Sequence, residues 1–455
     1  MKRYLLKIAL ILCMTLLFSS CSLNMSVENL LTPPKLTEEQ NAIFQALQSS
    51  KGGNITLKYP KSGDYRSAFI IRNIDDEPTD EALVFYQSAG ASEENFLWLV
   101  FLDQKDGEWI CVYDMPAIGT DVEKVVFKEL GDSDKVNIII GYSVLNQTEN
   151  GISVLTYENQ VPVEEYKGTY SVMEFPDPDN DGNAELFLIT LNKTIPQSMA
   201  YLIGWNDNQF GVLSSVELDS AANEYNSITA GMMDANLSAM FIDYSKGDST
   251  YGTDVIFCSG KNMFSALYSK ISTANSDKAT RKTNTYTANM TARDIDGDGC
   301  MEVAGTSLLP GYTNMNKAEQ IYANVWYSIT DRYTLVKKYY TYCSTNNDYV
   351  FFFPNRWQEL VTVTLNSDRS EVYFRTVLSS LAEPTEPLLS IKTVAEADLA
   401  KTDVDALIAD GWIKVENTEN EGYTYFTKQG DAGNQMTLTD DELADCLMFL
   451  TEQTR

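Results

Sequence analysis

Histidine is absent from all 455 residues. Its absence removes imidazole-based catalytic triads, His-ligated zinc or iron sites and histidine pH switches, so any chemistry here must use carboxylates, Tyr, Lys, Arg, Ser or Cys. Basic residues are scarce. The 34 Lys and Arg against 64 Asp and Glu give a formal charge of -30, and a surface of that sign repels phosphate backbones and anionic headgroups. Nucleic acid is therefore excluded as a partner, and cations, calcium among them, are the expected counter-ions. Cysteine is also sparse. Beyond Cys13 and Cys21 there remain Cys111, Cys258, Cys300, Cys343 and Cys446, an odd set that cannot pair completely and contains no CxxC spacing. Neither a disulfide framework nor a thiol metal site is expected, and Cys111 and Cys258, within apolar runs, read as buried thiols. Long apolar runs are missing except at 8–18.

That single run decides the N-terminus. Lys2, Arg3 and Lys7 flank it, Ser19, Ser20 and Cys21 follow it, and it is too short to cross a bilayer comfortably, so it reads as a signal peptide. Cys21 behind small residues resembles the bacterial lipoprotein signal, in which that cysteine is lipidated and becomes the first residue. Phe18 stands where Leu is usual, and ordinary secretory cleavage near Ser20 is the alternative. The expected organisation is a lipoprotein signal peptide at 1–20, a tether at 21–36 containing Pro33 and Pro34, and a folded region at 37–455. The location implied is extracytoplasmic, with the lipid on Cys21 anchoring a monomer to the outer face of the cell membrane.

The folded region opens with a helix. Thr37 is placed to cap it with Gln40 completing a capping box, Glu38 and Glu39 suit the positive end of the dipole, and Ile43, Ala46 and Leu47 form one apolar side. Lys51, Gly52 and Gly53 stop it. From there to about Val394, short apolar runs separated by turn residues predict strands. Six runs, at 82–85, 138–141, 186–189, 240–242, 303–305 and 360–363, read as the second strand of successive units. About twenty to thirty residues further on, a hairpin recurs in the manner of repeated β-units. It is clearest around Asp106 and Gly107, Glu158 and Asn159, 206–208, Lys261 and Asn262, and Asp331. Four strands in roughly 55 residues fit a propeller blade better than a helical solenoid.

The expected fold is thus all-β, a β-propeller of about seven four-stranded blades, with six as the alternative, and with short N- and C-terminal helices. Near the C-terminus a helix at 402–409 capped by Thr402 and stopped by Gly411 precedes strands at 412–415 and 423–426. A last helix starts at Thr439, with Glu442 completing a capping box and Leu443, Cys446, Leu447 and Leu450 as its apolar stripe. The two strands are expected to close a blade with a strand at 55–59.

Two nine-residue stretches stand out, DPDNDGNAE at 177–185 and DIDGDGCME at 294–302, each running into apolar residues. Calcium takes six to eight oxygens, and positions 1, 3 and 5 of a tight loop converge their carboxylates: Asp177, Asp179 and Asp181, then Asp294, Asp296 and Asp298. Gly182 and Gly299 allow the sharp turn. The backbone carbonyl of Asn183 or Cys300 would ligate from position 7, and Glu185 or Glu302 from position 9. An EF-hand would require an acid at position 12, where Leu188 and Gly305 stand. The alternative, a plain acidic turn, would leave close carboxylates repelling one another by about 1–4 kcal/mol per pair, which favours Ca2+. A degenerate copy at 73–81 keeps Asn73, Asp75, Glu77 and Glu81 but has Pro78 in place of the turn glycine. Copies near 132–137, 234–238 and 355–359 lack the three acids and read as turns.

Loops of the form DxDxDGxxE between strands of such units resemble the calcium-bearing blades of FG-GAP or VCBS-type β-propellers, as in integrin α-chains. LLTPP at 30–34, LKYP at 57–60 and YRSAF at 65–69 are similar to a group of lipoproteins of Gram-positive bacteria. The resemblance implies a propeller and a surface location, and no activity. The residues themselves suggest a non-enzymatic module that binds a protein or glycan of the envelope or surroundings, with calcium stiffening blades away from the ligand. A carbohydrate-active hydrolase or lyase on the same scaffold is the alternative, and an assembly partner of a membrane protein is a third reading. Trp98, Trp109, Trp205, Trp326, Trp357 and Trp412 could stack on sugars, but filling the spaces between blades is the preferred reading.

Overall fold

The structure, a computed structural model, describes residues 36–52, 55–75, 77–88, 97–131, 135–178, 181–195, 197–206, 209–247, 249–267, 283–330, 334–377, 381, 385–416 and 422–450. The expected signal peptide, Cys21, nearly all of the tether, Asp179 and the turn at Asp331 lie outside the described residues. None of the described helices is long and apolar enough to cross a membrane. The chain divides into two compact units, the described parts of Met1–Tyr59 with Ser67–Pro116, and Pro60–Arg66 with the described parts of Ala117–Arg455.

The first unit pairs one helix with one sheet. Glu38–Lys51 is helical because its N-terminus is satisfied locally. The Thr37 hydroxyl accepts from the Gln40 N–H and the Gln40 side chain accepts from the Thr37 N–H, both at 3.1 Å. Gly52 ends it at φ 85°. Ile43 and Leu47, one turn apart on the same side, are buried with Ala82, Val84, Val100 and Leu102 of the sheet. The sheet runs Ile55–Lys58, Glu81–Ser88, Trp98–Lys105, Glu108–Pro116, with Phe69–Arg72 also paired to Glu81–Ser88.

The second unit holds five more antiparallel sheets. The second sheet comprises Asp121–Glu129, Val136–Ser143, Asn150–Glu158 and Val161–Tyr170 in that order, and the third Val172–Glu174, Leu186–Asn192, Gln197–Asn206 and Gln209–Glu217. The fourth runs from Glu224–Asp234 through Leu237–Ser245 and Tyr251–Ser259 to Asn262–Ser265. The fifth has Glu302–Leu308, Tyr322–Ile329, Leu335–Ser344 and Tyr349–Phe352, and the sixth begins with Val361–Leu365, Glu371–Thr376 and Leu389–Ala395. Hairpin turns carry the positive φ that a tight two-residue connection demands, as at Asp106 and Gly107 (54° and 83°) and at Asn159 and Gln160 (51° and 63°).

Strand alternation explains the uninterrupted apolar runs. Leu186 and Leu188 pack with Ile139 and Ile152 of the second sheet, whereas Phe187 and Ile189 pack with Met240 and Ile256 of the fourth. In the fourth sheet Met240 and Ile242 face the third, and Phe241 joins Val303 of the fifth. Each of these strands is buried on both faces, so both sets of alternate side chains must be apolar. The fifth and sixth sheets meet through Phe351, Trp357, Val363, Phe374 and Tyr425.

Several expectations are corrected. The described residues form six antiparallel sheets, which carries the all-β expectation. Tyr423–Gln429 joins the sixth sheet beside Leu389–Ala395 with Ile413–Lys414 paired to its other side, and Ile55–Lys58 pairs with Glu81–Ser88, so the C-terminal strands form no sheet with Ile55–Lys58. Val361–Leu365 is the first strand of its sheet, where a second strand was expected. The helix before Gly411 is Val404–Ala409, capped by Asp403 in place of Thr402 because the Asp403 carboxylate accepts from the Ala406 N–H at 3.0 Å. The last helix, Asp440–Cys446, has the expected Thr439 and Glu442 capping box but stops before Leu447. Leu447–Phe449 becomes an edge strand on Tyr349–Phe352.

Candidate metal centre

Both acidic loops lead into the second strand of their sheets, Leu186–Asn192 and Glu302–Leu308. Each folds around its first aspartate. Asp294 accepts through Oδ1 from the N–H groups of Gly297 and Asp298 at 2.8 and 3.1 Å, and through Oδ2 from Gly299 at 2.9 Å. Asp177 accepts from Asp181 at 3.1 Å and from Gly182 at 2.9 Å. Asp298 and Asp181 then each accept, at 2.8 Å, from the N–H two residues on, that of Cys300 or Asn183. Gly182 and Gly299 have φ of 93° and 89°, a conformation that an L side chain resists. Glu185 and Glu302 are buried at the strand heads. The two loops therefore share one scaffold, as their sequences imply.

In the second loop, oxygens of Asp294, Asp296 and Glu302 lie within 4.8 Å of one another. This hard, all-oxygen donor set fits calcium. In the first loop Asp177, Asp181, Asn183 and Glu185 are described and Asp179 is not.

The second loop also meets a lysine that motif reading misses. Lys338, on the strand Leu335–Ser344, places Nζ 2.7 Å from Asp296, 2.5 Å from Asp298 and 2.9 Å from Glu302. The neighbouring Tyr339 hydroxyl donates to Asp296 at 2.7 Å. Burial alone would lower the Lys338 pKa, but its bonds to the three carboxylates outweigh burial and push it up. Asp296 is drawn down by Lys338 and Tyr339 against the opposing effect of burial, and Asp298 is drawn down chiefly by Lys338. Glu302 moves up because its burial exceeds the help of Lys338 and of the Ile295 N–H. The Tyr339 hydroxyl is pushed up to about 12, first by its bond to Asp296 and then by burial. The Cys300 thiol is also raised, by burial and then by nearby carboxylates.

The copy at 73–81 keeps one element of this design. Glu81 is fully buried and accepts from the Ile74 N–H at 2.8 Å, as Glu302 accepts from Ile295 at 3.2 Å. Burial pushes Glu81 up to about 7. The copy at 234–238 is a plain turn, in which Asp234 accepts from Asn236 and Leu237.

Beside the second loop, at the fourth and fifth sheets, is a cavity of about 600 Å³ bordered by Asn226, Thr229, Asp243, Tyr251, Asn289 and Arg293. Asp294 borders it too. Asp243 accepts from Thr253 at 2.6 Å and from Ser227 at 3.2 Å, yet burial exceeds these bonds and raises its pKa. The Arg293 guanidinium donates to the Asn289 carbonyl at 2.9 Å.

No family model and no curated protein matches the chain. Among solved structures, similarity extends to a protein assigned as a 6-phosphogluconolactonase from Bacteroides fragilis, with TM-score 0.22 and 9% identity over 73% of this chain and 94% of the other. The exotype rhamnogalacturonan lyase YesX gives 0.21 and 12% over 71% and 64%, and the Bacillus licheniformis rhamnogalacturonan lyase PL11 gives 0.21 and 10% over 57% and 65%. Scores this low carry no argument about activity.

Trp326 and Trp357 are fully buried and Trp412 nearly so, while Trp98 and Trp109 pack against the core of the first unit. Among the described residues Cys111, Cys258, Cys300, Cys343 and Cys446 form no disulfide; Cys258 and Cys446 are buried and the other three half-buried.

Proposed function

We propose that the chain is a surface-anchored binding module, its sheets arranged as a calcium-stabilised β-propeller, and that its ligand is a glycan. The observation that carries this reading is the cavity beside the 294–302 loop. Side-chain amides, hydroxyls, two carboxylates and the Arg293 guanidinium line it, and Tyr251 adds a ring. Such a lining pairs hydroxyl groups through several hydrogen bonds while an aromatic face covers the sugar's apolar side. Asp294 joins loop and cavity, so calcium in the loop would fix one wall of the site.

A glycan array probed with the soluble mature chain, in calcium and in chelator, tests this function. Retained binding in Asn226→Ala and Tyr251→Ala would sink it; the expected result is loss of binding in both variants. Labelled fatty acid incorporated into wild type but not into Cys21→Ala is the expected result for the anchor, and unlabelled wild type contradicts it.

A second reading, a carbohydrate-active enzyme, is favoured by the raised pKa of Asp243 in the same cavity, a property suited to proton transfer. It predicts product from a polysaccharide panel and none from Asp243→Asn. The binding-module reading predicts saturable binding without product.

A further inference from the structure

We propose that the cavity beside the 294–302 loop takes an N-acetylated sugar: Asn226 and Asn289 pair with the amide of the acetamido group, and Met301 and Met448 receive its methyl. This inference rests on the glycan reading above and is independent of the calcium reading.

The two amides stand where the backbone is irregular. Asn226 lies on the first strand of the fourth sheet, Glu224–Asp234. Tyr225 pairs with Tyr244 and Ser227 with Asp243, which leaves Asn226 as an extra residue, and a bulge re-aims the side chain it carries. Asn289 is the third residue of a turn that the Met290 N–H closes on the Thr287 carbonyl at 3.3 Å, and its φ is 60°. The Arg293 guanidinium, donating to the Asn289 carbonyl at 2.9 Å, ties that turn to the strand Ala292–Arg293. Glycine would suit such a φ better than asparagine, so the turn alone does not account for the amide. Both side chains border the cavity, and among the described residues neither amide is hydrogen-bonded.

The same cavity has an apolar part. Ala292, Met301 and Met448 border it, each half-buried. The fourth sheet places Met301: its N–H donates to the Met232 carbonyl at 2.8 Å. Gly231 leaves room for its side chain, since a Cβ there would lie 2.6 Å from Met301 Cγ. Met448 is brought in by the pairing of Leu447–Phe449 with Tyr349–Phe352, in which it stands opposite Val350. An unbranched, polarisable thioether is an adaptable contact for a methyl group.

An acetamido group asks for both kinds of lining. Its N–H donates, its carbonyl accepts and its methyl is apolar, while a side-chain amide offers the complementary acceptor and donor together. A hydroxyl in its place would leave the methionines uncovered, and a 6-deoxy sugar would bring a methyl group without an amide. The two carboxylates of the cavity do not call for a cationic sugar, because both are already served. Asp294 accepts from three backbone N–H groups, and Asp243 from Thr253 and Ser227.

Equilibrium binding of matched sugars to the soluble mature chain tests the proposal. β-Linked tetramers of N-acetylglucosamine and of glucose differ only in the acetamido group, as do glycosides of N-acetylgalactosamine and galactose on one linker, and a fucoside supplies the 6-deoxy case. Wild type is expected to bind an N-acetylated member roughly tenfold or more tighter than its hydroxyl counterpart. Asn289→Gly keeps the turn and removes the amide, and Met301→Gln keeps the side-chain length and removes the apolar contact, with circular dichroism reporting folding. Each should cut the preference to roughly threefold or less while barely moving the affinity for the hydroxyl member. The inference is overturned if the paired sugars bind alike, or if the fucoside binds tighter than either, results that leave the glycan reading standing. It is equally overturned if folded Asn289→Gly and Met301→Gln keep the wild-type preference. If no sugar on the array or in these pairs binds, the glycan reading itself fails and the inference falls with it.

Discussion

Glu81, Glu185 and Glu302 each stand buried at the head of a strand, yet their surroundings differ. Lys338 partners Glu302, while Glu81 accepts from the Ile74 N–H. Glu81 titrates near 7 in the folded chain against 4.5 when unfolded. Between those values the folded state holds the proton more tightly, so stability falls as pH rises from 4.5 through 7 and levels above it. Glu81→Gln keeps an acceptor for the Ile74 N–H and removes the charge. In chelator it is expected to be about 2 kcal/mol more stable than wild type at pH 8 and nearly equal at pH 4.5. Urea unfolding at both pH values measures this, and an equal offset at the two would contradict it. Glu442 has the opposite sign. Arg356 at 2.7 and 2.8 Å, then the Thr439 N–H, hold its pKa down to about 2. Its contribution is therefore present above pH 4.5 and lost as pH falls through 2, and Glu442→Gln is expected to flatten that acid limb of the stability curve.

At the scale of elements, the C-terminal segment shows what sequence pattern can and cannot specify. The capping box of Thr439 and Glu442 was legible because it is local, and Thr439→Ala is expected to cost about 1 kcal/mol by thermal unfolding. The end of that helix was not legible. Leu443, Cys446, Leu447 and Leu450 keep helical spacing, but the open edge of Tyr349–Phe352 offers Leu447–Phe449 ladder hydrogen bonds that a longer helix would forgo. Hairpins around Asp106 and Asn159, and the frames of both acidic loops, could be read because turn chemistry is local as well. Lys338 could not, since the strand register shifts there, Trp326 pairing with Tyr339 but Tyr327 with Lys337, and one inserted residue leaves the apolar pattern almost unchanged. Packing between the fifth and sixth sheets centres on Trp357, stacked on Phe351 at 5.7 Å, its indole N–H donating to the Met436 carbonyl at 2.7 Å. Trp357→Ala is expected to lower stability by about 3–5 kcal/mol in denaturant titration, and a loss below about 1 kcal/mol would place that core elsewhere.

For the molecule as a whole, charge and architecture bear on the same claim. On the proposed calcium reading, a chain of formal charge -30 with acidic loops at strand heads would gain from a divalent cation that binds the folded state. The central claim is tested most directly by thermal unfolding of the mature wild type and Asp177→Asn, each in excess calcium and in chelator. At calcium a hundredfold above the dissociation constant, wild type should gain about 2.7 kcal/mol, seen as a higher midpoint, and Asp177→Asn should lose part of that rise. A wild-type midpoint that stays where it was in chelator would contradict the account.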